Sequence, residues 1–280
     1  MALVVAVHSY KGGTGKTILS VNLAASICLE GKRVALLDLD YSAPSIYTYF
    51  PKEIIGDKGT LNDALMEKKE FEDCIFNATN LIEGSGELFV GLANHQTEYT
   101  REMIRRDAKS AANDARKLFR WVDLLKKPPF SADVILLDTA PGLNFLSINS
   151  ISVCDVSILL MRLLNADLSG TKEMIDGLHA KLRSEILLLV NQLPPEFMEG
   201  ENAQNIYDLV DKFILADFTK NKPKFGGIVV KDMDLVRLEA SNMLELLRTG
   251  KEIRDIHVLK QDAGSFTTSV NKVTRLIIDR

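Results

Sequence analysis

Short apolar runs punctuate the chain at 3–7, 33–37, 134–137, 156–161 and 186–190, and none of them alternates with period two. A strand with one wet face alternates, whereas an unbroken run of this length suits a strand covered on both faces of a parallel sheet. Between the first two runs, residues 17–30 place Ile18, Val21, Ala25 and Cys28 on one helical face and stop at Gly31, just before RVALLDLD. Run, helix and run make a βαβ unit. Several such units in series predict a doubly wound α/β fold, a mostly parallel sheet flanked by helices, with ligands at the carboxyl ends of the strands. Residues 41 to about 130 interrupt the alternation and read as a helical excursion holding one short strand, LFVGLA at 88–93. Pro194-Pro195 opens a loop over 194–205, and a helix is expected near 205–216. No repeat or low-complexity linker divides the chain, so 1–280 reads as a single domain.

Composition narrows the class. With 280 residues, 46% of them hydrophobic and 26% charged, the chain can bury a core without disulfides or a structural metal. Cys28, Cys74 and Cys154 form no CxxC pair and are expected as buried thiols of a reducing compartment. The N-terminus lacks a basic segment and reads as a first strand, not a signal peptide, and no apolar run is long enough to span a bilayer. A cytoplasmic location without a transmembrane segment is the expectation. A net charge of -4 argues against wholesale polyanion binding but leaves local patches open.

The candidate chemistry begins where the first strand ends. In Lys11-Gly12-Gly13-Thr14-Gly15-Lys16-Thr17, followed by Ile18, the glycines let the backbone curl so that amide hydrogens face inward, forming a phosphate cradle at a helix start. Lys16 is placed for the β and γ phosphates and Thr17 for magnesium, so ATP with magnesium is the expected ligand. Such a loop needs an acid on another strand for the metal's shell, and VILLDTAPG supplies Asp138 at a strand end. Gly142 then lets a backbone amide approach the γ phosphate. The second strand ends in Asp38-Leu39-Asp40, two carboxylates on one side of an extended chain. Asp40 is the candidate for orienting water and touching the metal shell, and Asp38 for fixing Lys16 or the metal's waters.

The lysine ahead of the glycines, Lys11, makes the loop resemble the deviant Walker A motif of the MinD/ParA ATPases, and LLDLD at 36–40, DTAPG at 138–142 and Asn191 after EILLLV extend the likeness. The resemblance implies an ATP-dependent homodimer in which Lys11 reaches the partner's nucleotide, with Asp40 as catalytic aspartate and Asp138 as the second Walker aspartate. It further implies Asn191 as an adenine-facing amide and Asp232, in GIVVKDMD, as a residue beside the base. It implies a switch that controls association with membrane, DNA or a partner protein, in division-site, chromosome, plasmid or organelle positioning. A non-hydrolysing scaffold and a carrier for metal-cluster assembly are the alternatives, the second weakened by the missing CxxC. Two surfaces bear on the partner. Residues 268–280 carry Val270, Val273, Ile277 and Ile278 with Lys272, Arg275 and Arg280, as a membrane anchor or as a packed helix. Arg101, Arg105, Lys109, Arg116, Arg120 and Lys127 fall on one arc of a continuous helix, opposite Met103, Ile104, Leu118, Trp121 and Leu125. That basic face would suit nucleic acid, anionic lipid or an acidic partner.

Overall fold

The computed structural model describes residues 2–178, 182, 184–198, 202–215, 222–250, 256–260 and 264–280. Each apolar run is a strand: β1 (Leu3–His8), β2 (Arg33–Leu39), β5 (Val134–Thr139), β6 (Val156–Met161) and β7 (Glu185–Leu193). The excursion supplies two more, β3 (Ile75–Asn77) and β4 (Glu87–Gly91), and β8 (Lys224–Val230) completes an eight-stranded sheet in the order β3-β4-β2-β5-β1-β6-β7-β8. All neighbours are parallel except β3 with β4. The chain begins at an inner strand and builds outward in both directions, so the loops after β1, β2, β5 and β6 emerge side by side.

Successive residues point to opposite faces of the sheet. Val5, Val7, Leu36, Leu136 and Ile158 lie under α1 (Lys16–Leu29) and α10 (Ser265–Ile278), while Val4, Ala6, Leu37 and Leu137 lie under α5 (Ala108–Leu125) and α6 (Phe145–Ser152). Leu188 and Val190 meet Met174 and Ile175 of α7 (Asn165–Gly177) on that second side. Sheet burial on both faces explains the missing alternation.

Three expectations change. Helix α1 is buried all round, not on one face, because α10 covers the side turned away from the sheet. Its polar residues are satisfied there: Ser26 Oγ donates to Asn271 Oδ1 at 2.9 Å, and Thr274 Oγ1 donates to Ser26 Oγ at 2.8 Å. The excursion holds two strands where one was expected: β4, read at 88–93, pairs with β2 inside the main sheet, and β3 pairs antiparallel with β4. The helix drawn through 101–127 is two helices, α4 (Thr97–Ile104) and α5, parted where Asp107 caps Ser110 N at 2.8 Å. A side chain that caps the first turn starts a new helix instead of continuing the old one. The six cations still face solvent, but Ile104 is 70% exposed, and Arg106 turns inward to pair with the buried Asp114.

The short helices α2 (Lys52–Ile55) and α3 (Leu61–Leu65) follow β2, and α8 (Asn202–Leu209) begins three residues before the helix expected near 205–216, inside the expected loop, and its turns continue over Val210–Leu215. Residues 216–221 and 199–201 lie outside the described residues. Val270, Val273 and Ile277 are buried in the core, so the amphipathic C-terminal pattern is a packed helix whose apolar side is already used. The three cysteines are free and buried, as expected. Among the described residues no helix is long and apolar enough to cross a membrane.

Candidate functional site

The loop between β1 and α1 has the shape its glycines allow. Gly13 and Gly15 sit at φ 73° and 87°, the left-handed region open to glycine at no steric cost. A Cβ on Gly15 would also lie 2.6 Å from the Asn191 amide nitrogen. Asn191 Nδ2 donates to the Thr14 carbonyl at 2.6 Å, and Gln192 Nε2 donates to the Gly13 carbonyl at 3.2 Å. In a trans peptide the N–H points away from the C=O, so holding these two carbonyls toward β7 turns the Thr14 and Gly15 amides to the opposite side. Thr14 Oγ1 is buried and makes no hydrogen bond among the described residues. A preset cradle with an unpartnered hydroxyl fits a phosphate.

Ser9 links both lysines. Its hydroxyl donates to the Lys11 carbonyl at 2.6 Å and accepts from Lys16 Nζ at 3.2 Å. Lys16 is buried, which holds its amine below the usual lysine range, and the charges of Asp138 and Asp40 oppose that shift. A cation kept in a dry place by two carboxylates is ready for a polyanion.

The acids lie at adjacent strand ends, because β2 and β5 pair with Asp38 level with Asp138. Asp138 Oδ2 accepts from Thr17 Oγ1 at 2.8 Å and Oδ1 from Ser20 Oγ at 2.9 Å. Burial raises its pKa to about 6, against the pull of those two hydroxyls and Lys16. Asp38, also fully buried, is pushed well up by burial and by the neighbouring Asp138 and Asp40. It accepts from Asp40 N at 3.2 Å and Ile46 N at 3.3 Å, so it ties down the start of the segment after β2. Asp40 Oδ1 takes Ser42 N at 3.2 Å, Ser42 Oγ at 2.5 Å and Ala43 N at 3.0 Å, which fixes the carboxylate in a tight turn. Ser45 Oγ donates to Thr17 Oγ1 at 3.1 Å, bringing the same segment to the hydroxyl expected to hold magnesium. A hydroxyl and a carboxylate in contact are hard oxygen donors of the kind magnesium takes, so Thr17 and Asp138 fit that ion.

Lys11 follows Tyr10, whose ring packs onto Gly170 and fills the place a Cβ there would need. The first turn of α7 holds Asp167, whose carboxylate takes Arg162 Nε at 2.8 Å and is held below the usual range: its partial burial opposes the shift, and the hydrogen bond and charge of Arg162, with Lys11, override it. Gly142 has φ 78° and its amide donates to the Ser9 carbonyl at 2.9 Å, so reaching a phosphate requires it to give up that bond. Asp232 caps helix α9 (Met233–Thr249) through Asp234 N and Leu235 N and also accepts from Ser265 Oγ and Phe266 N. These four donors make it a brace between α9 and α10.

Sequence reasoning missed Ser9, Ser20, Ser45 and Gln192. Ser20 was within reach, because it lies one turn past Thr17 on the same helical face. Ser9 and Ser45 carry no such mark.

A family model described as an AAA domain matches residues 2–186. The septum site-determining protein MinD of Synechocystis is 21% identical over 75% of this chain and 72% of that protein. The chain belongs to the MinD/ParA family of P-loop ATPases. An uncharacterized ATP-binding protein of Methanocaldococcus jannaschii is 42% identical over a shorter stretch, 27% of this chain, and the match spans 28% of that protein's length. Among solved structures, MinD of Pyrococcus horikoshii complexed with Mg-ADP aligns over 99% of this ATPase and 96% of that chain, with a TM-score of 0.67 at 18% identity. A plasmid partition protein of Borrelia burgdorferi bound to AMPPNP gives a TM-score of 0.67 at 17% identity, over 100% and 99% of the two chains. The ATPase therefore has the fold as well as the motifs of this family.

Proposed function

We propose that this ATPase is a switch that closes as a face-to-face dimer around two ATP molecules, hydrolyses them slowly, and thereby times its association with a cellular surface or partner. The observation that carries the reading is a second lysine, Lys11, in the same loop as Lys16, its backbone carbonyl held by the Ser9 hydroxyl that also takes Lys16 Nζ. A second lysine beside the phosphate loop is superfluous for holding one nucleotide and useful for reaching another. Exposed apolar side chains support such a face: Leu143 and Phe145 after β5, and Leu163 and Leu164 after β6, are each 43–53% exposed at the strand ends that flank Lys11.

In the proposed cycle, bound magnesium would neutralise charge on the β and γ phosphates. Thr17 and Asp138 would hold it, with Ser20 keeping the Asp138 carboxylate in place. Lys16 stabilises charge on the phosphates of its own chain and Lys11 on those of the partner. Asp40, one oxygen anchored by Ser42 and Ala43, orients the attacking water and takes its proton through the other. Asn191 and Gln192 keep the cradle open, and Asn191 in addition faces the base. The exposed cations of α4 and α5 favour an anionic surface as partner, either membrane or DNA.

Phosphate release by the purified protein, with sizing in ATP and ADP, tests the reading. Lys16→Ala should lose nucleotide binding or turnover. Asp40→Ala should retain ATP and accumulate a dimer. Full activity in the first variant, or a monomer with ATP in the second, would overturn the assignment. Co-sedimentation with anionic liposomes and with DNA, each with ATP or ADP, decides the surface.

A further inference from the structure

Asn191 and Gln192 are neighbours in β7, yet both side chains reach the phosphate loop. In a regular strand consecutive side chains leave on opposite faces, so one of the two should point away. The register explains the exception. β7 pairs with β8 through Asn191 opposite Val229 and Leu193 opposite Val230, which leaves Gln192 as an extra residue, a bulge. Its backbone stands at φ 59°, in the left-handed region that a side chain enters only at a cost and glycine enters freely. A bulge re-aims a side chain, and this one swings the Gln192 amide onto the loop that its neighbour already holds.

The bonds made there depend on that geometry. The Gln192 N–H donates to Asn191 Oδ1 at 2.9 Å, which fixes the Asn191 amide with its nitrogen toward the Thr14 carbonyl. Gln192 Nε2 takes the Gly13 carbonyl at 3.2 Å. Two adjacent side chains thus clamp two adjacent peptides, Gly13–Thr14 and Thr14–Gly15. Each of these peptides borders a glycine, so without a clamp it turns over at little steric cost. Turned over, it presents a carbonyl oxygen to a phosphate in place of an amide. A strained residue in the middle of such a clamp, where glycine would be at ease, points to a function for the strain. We propose that Gln192 is a positioning residue for phosphate binding, its strained bulge serving to bring the amide to the Gly13 carbonyl so that the Thr14 N–H faces the ligand before it arrives. This rests on the nucleotide reading above and adds a trade to it: the fold is weakened at 192, and the loop is set in advance.

Wild type, Gln192→Ala, Gln192→Gly and Gln192→Glu are compared by thermal melting without ligand and by titration with a fluorescent ATP analogue in magnesium. The alanine and glycine variants both lack the amide, so each should bind about five- to tenfold more weakly, the worth of one hydrogen bond. Glutamate keeps the shape but cannot donate when ionised, and should bind more weakly still. Tripolyphosphate, which has no base, should lose as much in competition as ATP does. At an ordinary strand position alanine is more stable than glycine; at 192 the glycine variant should melt above the alanine variant, by about 2–4 °C. Unchanged affinity in Gln192→Ala, a loss seen with ATP and absent with tripolyphosphate, or an alanine variant that melts at or above the glycine variant would each overturn the proposal. Wild type that binds no ATP would instead refute the nucleotide reading and remove this inference with it.

Discussion

Replacing Asp138 with asparagine should make the nucleotide-free protein more stable while abolishing its turnover. The carboxyl is fully buried, and its pKa rises from the ordinary 3.8 to about 6. A folded-state pKa above the unfolded one means that the folded chain holds a proton more tightly. That stabilisation is complete below about pH 4 and is lost as pH rises through about 6. Roughly two pKa units at 1.36 kcal/mol each give about 3 kcal/mol of stability forgone at pH 7.5. Asp138→Asn removes the charge and keeps the shape, and the Thr17 and Ser20 hydroxyls can turn to suit the amide. Urea unfolding without magnesium or nucleotide, at pH 5 and at pH 7.5, measures the effect. The variant should gain about 1–3 kcal/mol over wild type at pH 7.5 and about half as much at pH 5, where the unfolded chain is ionised but the folded one still largely protonated; a lone substitution in a network of acids recovers only part of the cost. Asp38, pushed up by the same burial, keeps some pH dependence in the variant. A variant less stable than wild type at pH 7.5, or an equal gain at both pH values, would refute the view that Asp138 is held charged at a cost that its ligand relieves.

Other outcomes follow from contacts already described. Lys11→Ala should keep nucleotide affinity within a few-fold but cut turnover at least a hundredfold, as loss of a transition-state cation does, measured by phosphate release against binding of a fluorescent nucleotide. Arg106→Ala strands the buried Asp114 and should cost about 3–5 kcal/mol in urea unfolding at pH 7.5, with part of the loss recovered in the Arg106→Ala/Asp114→Ala double variant. Gly170→Ala puts a methyl into the Tyr10 ring, so stability should fall by about 1–3 kcal/mol and turnover should fall with it as Lys11 is displaced. A Gly170→Ala protein with unchanged melting and turnover would show that Tyr10 moves freely.

What was legible in the sequence was set by short-range rules. The strands at 33–37 and 134–137 could be read because burial on both faces leaves an uninterrupted apolar run, and Gly13 and Gly15 because no other residue adopts their backbone so cheaply. The helix break at Asp107 was also local and went unread, since periodicity alone runs across a cap without noticing it. The short strand β3 was illegible for a different reason: it is held by β4 and has only Ile75 and Phe76 to mark it. The partners of the site residues depend on register. That Thr17 meets Asp138, 121 positions on, or that Gln192 pins a carbonyl 179 positions away, is decided by which strands lie side by side.

Burial of α1 on every side has a mechanical consequence. This helix carries the phosphate loop at one end, lies between sheet and α10, and is pinned to α10 by the Ser26, Asn271 and Thr274 contacts. It is a fixed anvil. Whatever a phosphate does on arriving or leaving must therefore be registered by the chain that strikes against it: the turn after Asp40, joined to Thr17 through Ser45, and the turn at Gly142, joined to Ser9. In the proposed switch, information about the nucleotide would leave the molecule through these two loops, while the element that grips the ligand stays still.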